Sequence, residues 1–132
     1  MPNIDLNKIN VWLFSLIEKH NYELETLNYI FCSDEYLLNV NKEYLDHDYY
    51  TDIITFDNSE EEELIESDIF VSLERVADNA NTEKTSFDNE LLRVLAHGVL
   101  HLFGYKDKSE EDAKIMRSKE EESIELYDTI TV

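Results

Sequence analysis

Residues 95–104 read Leu-Ala-His-Gly-Val-Leu-His-Leu-Phe-Gly and contain both glycines of the 132-residue chain, Gly98 and Gly104. The two histidines, His97 and His101, stand four positions apart, and residues at that spacing project from one face of an α-helix on successive turns. Both imidazoles can therefore bind one divalent metal ion, with the second ring nitrogen of each left for a supporting partner. The stretch predicts a helix that carries a metal site.

A third metal ligand is expected just beyond this helix. A helix that ends near Phe103 needs a residue in the left-handed conformation to reverse the chain, and Gly104 suits that position. The turn would carry Asp107 toward the two histidines. Three protein ligands and one open coordination position are typical of a catalytic site, because a water bound there becomes acidic enough to act as a nucleophile near neutral pH.

Other readings of the same residues stay open. Two histidines at helical spacing also occur by chance, and one on an apolar helix face is usually a hydrogen-bonded core residue. A glycine inside a helix costs about 1 kcal/mol relative to alanine, so Gly98 needs a reason. It allows either a close helix crossing or room for a metal ion, water or substrate beside the histidines. Gly98 also stands where zinc proteases have their glutamate base, so a protease is disfavoured.

Length and composition predict the organisation of the chain. With 132 residues, of which 42% are hydrophobic, we expect a single domain over residues 1–132. No apolar stretch is long enough to span a membrane, and the first residues lack a secretory signal, so a cytoplasmic protein without membrane contact is expected. The lone Cys32 lies in an apolar run, where a buried and inert thiol is expected.

The charge is strongly acidic, with a formal net charge of −20. Such a charge argues against nucleic-acid binding, because phosphate contacts normally need a basic surface. Its distribution weakens that objection, since residues 75–119 contain eight of the eleven basic residues and eight acidic ones. The acidic runs 60–63 and 120–122 are most simply solvated faces, although a surface that binds a partner is an alternative.

Hydrophobic periodicity predicts the order of helices and strands. Strands gathered early and helices late indicate an α+β fold, a small mixed β-sheet packed against several helices, with a zincin-like metal site on a central helix. The predicted helices cover residues 5–19, 74–80 and 87–103, the last entered through Ser86 or Asp88. Two further helices are predicted from Ser33 or Asp34 to Leu45 and from Ser109 toward Leu126. The predicted strands cover residues 22–31, 51–56 and 68–73.

Several of these stretches resemble the YbeY family of bacterial metal-dependent endoribonucleases. Residues 97–105 resemble the family's His-Gly-x-Leu-His-Leu-x-Gly-Tyr signature, and residues 51–56 are similar to its Thr-Asp-Val-Leu-Ser-Phe strand. Asp68, Arg75, Met116 and Glu120 stand at matching positions. The family usually continues with Asp-His, whereas this chain has Lys-Asp, so Asp107 occupies the place of the family's third histidine.

The resemblance implies hydrolysis of single-stranded RNA during ribosomal RNA maturation and ribosome quality control. His97, His101 and Asp107 would hold the metal ion, and zinc is expected, although a carboxylate also suits harder ions. Arg75 would contact phosphate and join the two histidines as a catalytic residue; its alternative is a surface ion pair with an acid such as Glu74 or Asp78. No residue stands out as a general base.

The expected partners are single-stranded ribosomal RNA, the ribosome or small-subunit ribosomal proteins, and an assembly GTPase. One alternative is a non-catalytic ribosome-assembly factor with a structural metal, whose acidic surface attracts basic ribosomal proteins. Another is a metallohydrolase of a small substrate, which a deep closed pocket beside the histidines would favour over an open groove.

Overall fold

The computed structural model describes residues 5–131. Within them the elements confirm the predicted α+β class and the predicted order. They are α1 (Leu6–Lys19), β1 (Glu23–Cys32), α2 (Asp34–Leu45), β2 (Ile53–Asp57), β3 (Leu64–Ser72), α3 (Leu73–Glu83), α4 (Phe87–Leu102) and α5 (Glu110–Thr129).

The three strands form one mixed sheet in the order β1-β3-β2, with β1 parallel and β2 antiparallel to β3. The central strand β3 starts at Leu64, four residues before its predicted start at Asp68. Pairing with β1, in which Glu23 lies opposite Leu64, extends it into the acidic stretch. Side chains alternate there between buried Ile65 and Ser67 and their partly exposed neighbours, which is the period expected of a half-buried strand.

Helix starts have capping residues, and three of them, Ser33, Ser86 and Ser109, are at positions that the sequence predicts. Asp5, Ser33, Ser86 and Ser109 each accept a hydrogen bond from a backbone N–H in the first turn of α1, α2, α4 and α5. Helix α3 is longer than the predicted 74–80, because Ser72 caps its start and its end at Glu83 is followed by a left-handed residue.

The main core lies between the sheet and helices α1, α4 and α5. Trp12 of α1 is fully buried in it, and its indole N–H donates to the carbonyl of Ser123 in α5 at 2.7 Å. The side chains of α4 fill the centre, including Leu91, Leu95 and Leu100, each with no exposed surface. Helix α4 is thus held against the sheet along its length, so the histidines at its carboxyl end are carried on a fixed support.

Gly98 marks a close approach of α4 to the sheet. A Cβ atom added there would lie 2.7 Å from Cδ1 of Ile53 and 3.2 Å from Oγ1 of Thr55, both on β2. The close approach predicted from Gly98 is therefore real, but its partner is a strand and not a second helix. The alternative, room for a metal ion or substrate, is wrong because β2 occupies the space.

Two further observations complete the fold. Cys32 is only partly buried, contrary to the expectation, because it lies at the end of the edge strand β1; its thiol donates to the carbonyl of Val71 at 3.4 Å. Over residues 5–131, none of the helices combines the length and the apolar character that crossing a bilayer requires.

Candidate metal centre

The last two turns of α4 bring the predicted ligands together. Nε2 of His97 lies 3.1 Å from Nε2 of His101 and 3.1 Å from Oδ2 of Asp107, and Nε2 of His101 lies 3.5 Å from the same carboxylate oxygen. The three residues form a group that could hold a metal ion, the one such group found within residues 5–131. The structure therefore brings the three predicted ligand residues close together.

Gly104 creates the turn that returns Asp107 to the helix. Its φ is +99°, in the region that favours glycine, and its N–H donates to the carbonyl of His101 at 3.0 Å. The N–H of Tyr105 then donates to the carbonyl of Leu100, which closes the turn over the end of α4. This is the left-handed helix terminus that the sequence predicts.

The spacing of the three ligand atoms fits one small divalent ion. Bonds of about 2.0–2.1 Å in tetrahedral geometry place two ligand atoms about 3.3–3.4 Å apart. The observed separations of 3.1, 3.1 and 3.5 Å scatter around that value. Two neutral imidazoles and a carboxylate are ligands that zinc accepts, and they leave a fourth position for water or substrate.

Glu120 contacts His97 at Nδ1, the ring nitrogen that is not directed at His101 and Asp107. Its Oε2 lies 2.6 Å from Nδ1 of His97, and the glutamate is only 5% exposed. Arg93 donates to the other carboxylate oxygen at 3.4 Å. Because Nδ1–H donates to Glu120, Nε2 of His97 carries the lone pair that faces Asp107 and His101.

The supporting role of Glu120 was missed from the sequence, which indicated a solvated face for residues 120–122. The spacing of α5 could have shown that Glu120 is buried, since it lies four residues after buried Met116 and three before buried Ser123, but not that its partner is His97. A glutamate on the apolar face of a helix needs a partner to be buried.

The pKa of His97 reflects two opposing influences. Burial lowers it, while the hydrogen bond to Glu120 and the negative charges of Glu120, Asp107 and Asp52 raise it, and the net effect is a pKa above its ordinary value. The site therefore attracts positive charge, and a proton and a metal cation compete for Nε2.

Two clefts meet at His97. A cleft of about 730 Å³ extends past His101, Asp107 and Lys108 along β2, and one of about 320 Å³ lies on the side of Glu120. Asp52 and Ile53 line both. The larger cleft is open, because the side chains of His101 and Asp107 are 37% and 38% exposed.

Asp52 and Thr51 line the larger cleft. Asp52 accepts a hydrogen bond from Nδ2 of Asn79 at 3.0 Å, so its direct partner is this amide and not a histidine. Burial raises the pKa of Asp52, and the nearby His97 acts in the opposite direction.

Arg75 lies apart from these clefts and lines neither of them. Its guanidinium donates to both carboxylate oxygens of Asp34, at 3.3 and 2.6 Å, and to Asp78 at 3.2 Å. Asp78 is one of the acids expected in the ion-pair alternative, and Asp34 is a partner from α2 that the sequence did not indicate.

Fold and site together define an α+β protein with a candidate metal centre of the HxxxH type at the mouth of an open cleft. A family model described as endoribonuclease YbeY matches residues 3–128. The chain belongs to the endoribonuclease YbeY family, which confirms the resemblance seen in the sequence.

Individual relatives agree with this assignment. The chain is 56% identical over 119 residues to the endoribonuclease YbeY of Cytophaga hutchinsonii, covering 90% of this chain and 83% of the relative. It is 55% identical over 116 residues to that of Flavobacterium johnsoniae, covering 88% and 83%. The solution structure of TM1509 from Thermotoga maritima is similar with a TM-score of 0.69 and 28% identity, covering 92% of this chain and 80% of that one.

Proposed function

We propose that this protein is a metal-dependent endoribonuclease that cleaves single-stranded RNA during ribosomal RNA processing. The observation that carries the proposal is the group of three ligand atoms, spaced for one ion at an open cleft. Membership of a family named for RNA cleavage supplies the substrate class.

His97, His101 and Asp107 are the proposed metal ligands, and zinc is the proposed ion. A divalent ion at this site would polarise a phosphate oxygen and make a bound water more acidic. The chain prepares the site before the ion arrives, because Glu120 fixes the ring of His97 and the Gly104 turn fixes the position of Asp107. Asp107 in place of a third imidazole lowers the net charge of the site by one unit, so harder ions are better tolerated.

The open cleft favours a polymer over a small substrate. A small-molecule site usually encloses most of its ligand, whereas His101 and Asp107 face solvent. Tyr49 and His47 line the same cleft with their rings stacked 5.1 Å apart, and exposed aromatic rings stack well on unpaired bases. Lys108 adds a positive charge at the cleft. These features support a single-stranded RNA substrate.

Arg75 is the least supported of the proposed catalytic residues. Asp34 already occupies its guanidinium through two hydrogen bonds, so phosphate would have to displace that carboxylate. If Arg75 binds phosphate, Asp34→Asn should free it and tighten RNA binding, while Arg75→Gln should weaken it. A salt titration of RNA affinity checks both, since one lost phosphate contact lowers the salt slope by about 0.7 for a single strand.

The remaining assignments follow from this function. We propose one domain over the whole chain, located in the cytoplasm, that acts on ribosomal RNA in contact with the ribosome or small-subunit ribosomal proteins and with an assembly GTPase. The single main core shared by α1, α4, α5 and the sheet supports the domain assignment. The acidic surface supports contact with basic ribosomal proteins.

The direct test is cleavage of a labelled single-stranded RNA and of the same RNA in duplex form. The expected result is cleavage of the single strand, its loss after chelation, and its recovery when zinc is restored. Glu111→Ala, at an exposed site on α5, serves as a control and should cleave normally. Tight binding to ribosomal RNA without cleavage under metal-replete conditions would contradict the proposal and favour the assembly-factor alternative.

A further inference from the structure

The larger cleft runs along the unpaired edge of β2. In the sheet order β1-β3-β2, strand β2 is paired on one side only. Residues 51–55 line the cleft without a break, and Asp57 lines it as well. Successive side chains of a strand point to opposite faces of the sheet, so an unbroken run can line one cleft only along the edge of the strand. The backbone of β2 is therefore presented to the cleft.

The hydrogen-bond pattern shows which backbone groups of β2 point toward the cleft. The N–H of Ser72 donates to the carbonyl of Asp52, and the N–H of Asn58 donates to the carbonyl of Glu66. Along an antiparallel pair, residues that bond to the partner strand alternate with residues whose N–H and C=O point away from it. Even-numbered residues of this segment therefore bond to β3. The residues whose N–H and C=O point to the open side are Ile53, Thr55 and Asp57.

Most of these outward groups have no partner. The carbonyl of Ile53 accepts a hydrogen bond from Oγ1 of Thr51 at 3.3 Å. No hydrogen bond of the other outward N–H and C=O groups is found within residues 5–131. Such a row is a template for another extended chain, whose own N–H and C=O groups repeat at the same spacing. An RNA backbone has no such alternation of donors and acceptors, so this edge matches a polypeptide.

The charges along the edge indicate the kind of polypeptide. The larger cleft meets an acidic cleft of about 450 Å³, and Asp57 and Leu102 line both. Residues 60–63 are exposed glutamates that line the acidic cleft, where no basic residue of the described chain is found. A basic segment would be attracted to this region. A second copy of this chain would bring the same acidic residues to the edge and be repelled.

We propose that the open edge of β2 binds a basic polypeptide segment in extended conformation, added to the sheet as a fourth strand. The outward groups from Ile53 to Asp57 span about 13 Å, at about 3.3 Å per residue, which is enough to pair with four or five residues of the segment. Backbone hydrogen bonds supply affinity, and the acidic cleft selects lysine and arginine. RNA is proposed to use the same cleft, so we expect the segment and RNA to exclude each other, an effect that rests on the proposed function.

The first test compares synthetic peptides by fluorescence anisotropy with the purified protein. A labelled seven-residue peptide of alternating lysine and valine should bind, and a peptide with glutamate in place of lysine should not. Methylation of every backbone nitrogen keeps the charge of the lysine peptide but removes its N–H donors, so affinity should fall about 10-fold or more. Methylation of every second nitrogen leaves one edge of the peptide able to pair and is the control, with affinity nearly unchanged.

Two variants at Asp57 isolate one backbone donor. Asp57→Pro and Asp57→Ala lose the same carboxylate and its hydrogen bond from the N–H of Ser59, but only Asp57→Pro loses the N–H that points outward. Proline is tolerated at such edge positions because no hydrogen bond within the sheet is lost. Asp57→Pro should therefore bind the lysine peptide about 10-fold more weakly than Asp57→Ala, with circular dichroism showing that both are folded.

Amide hydrogen exchange locates the bound peptide without any substitution. The lysine peptide should slow exchange at the N–H of Thr55. Absence of peptide binding, affinity that ignores backbone methylation, or equal binding by the two Asp57 variants would overturn the proposal. Protection of the Thr55 N–H by a single-stranded RNA and not by the peptide would also overturn it. These measurements need neither metal nor RNA cleavage, so their failure leaves the endoribonuclease proposal intact, and cleavage assays test that proposal separately.

Discussion

His97 and His101 lie on successive turns of one helix, yet their surroundings differ. Both ring nitrogens of His97 are engaged, one by Glu120 and the other beside Asp107. His101 is more exposed, and within residues 5–131 its side chain makes polar contacts only through Nε2, to His97 and Asp107. His97 is thus held by the core without a metal ion, and we expect the order of the His101 ring to depend on the ion. The difference predicts that the two histidines are equally needed for metal binding but unequally for stability.

Replacing either histidine gives the largest expected effect. His101→Ala and His97→Ala should each lose the metal ion and reduce RNA cleavage by on the order of 10³-fold or more, since a Lewis acid supplies several kcal/mol to the transition state. Only His97→Ala should also lower the free energy of unfolding, by about 1–3 kcal/mol, because it removes a hydrogen-bond partner of buried Glu120. Urea denaturation of the two metal-free variants measures this difference in stability. Equal stability losses would contradict the comparison.

Removing the support of His97 should give a smaller effect. Glu120→Gln keeps the shape of the side chain but loses the charge that holds the Nδ1–H tautomer, so zinc affinity should fall about 10–100-fold. Glu121→Gln, one residue further along α5 and exposed, is the control. Competition with a chromogenic chelator measures both, and unchanged affinity in Glu120→Gln would show that His97 needs no such support.

The pH dependence of metal binding tests the surroundings of His97. Because the pKa of His97 is raised, a proton should begin to compete with zinc at Nε2 at a pH above the ordinary histidine pKa of about 6.5, and the competition should grow as the pH falls. In the metal-free protein the protonated His97 stabilises the fold fully below that ordinary value, and this contribution is lost as the pH rises through the raised pKa. NMR titration of the imidazole protons checks this. In Glu120→Gln the midpoint of His97 should move down, and an unchanged midpoint would contradict the assignment.

The smallest expected effect concerns the support of α4 on the sheet. Gly98→Val should lower the free energy of unfolding by about 1–3 kcal/mol, because the added side chain overlaps Ile53 and Thr55. Gly98→Ala should change it less, since a gain in helix propensity of about 1 kcal/mol offsets the overlap with the movable end of Ile53. Thermal unfolding of both variants ranks them. A Gly98→Val protein as stable as the original would mean that the close approach has no consequence.

The sequence was most informative where structure is local. The spacing of His97 and His101, the glycine at the end of α4, and the helix caps depend on residues a few positions apart, and each of these is found in the structure. The family resemblance added the order of the motifs along the chain.

What the sequence could not show depends on contacts between distant segments. The pairing of Arg75 with Asp34 joins residues 41 positions apart, and the support of His97 by Glu120 joins residues 23 apart. The early start of β3 follows from pairing with β1, and the partner of Gly98 is a strand more than forty residues earlier. Such partners are set by packing, which periodicity along one element does not encode.

The central claim is that His97, His101 and Asp107 together hold the catalytic metal ion, and Asp107 gives its sharpest test. Elemental analysis of the purified protein and of Asp107→Ala, combined with circular dichroism and cleavage of a single-stranded RNA, measures metal, fold and activity on the same samples. The account predicts about one ion per chain in the original protein, and loss of both the ion and cleavage in an Asp107→Ala protein with an unchanged spectrum. An Asp107→Ala protein that keeps its full metal content and activity would contradict it.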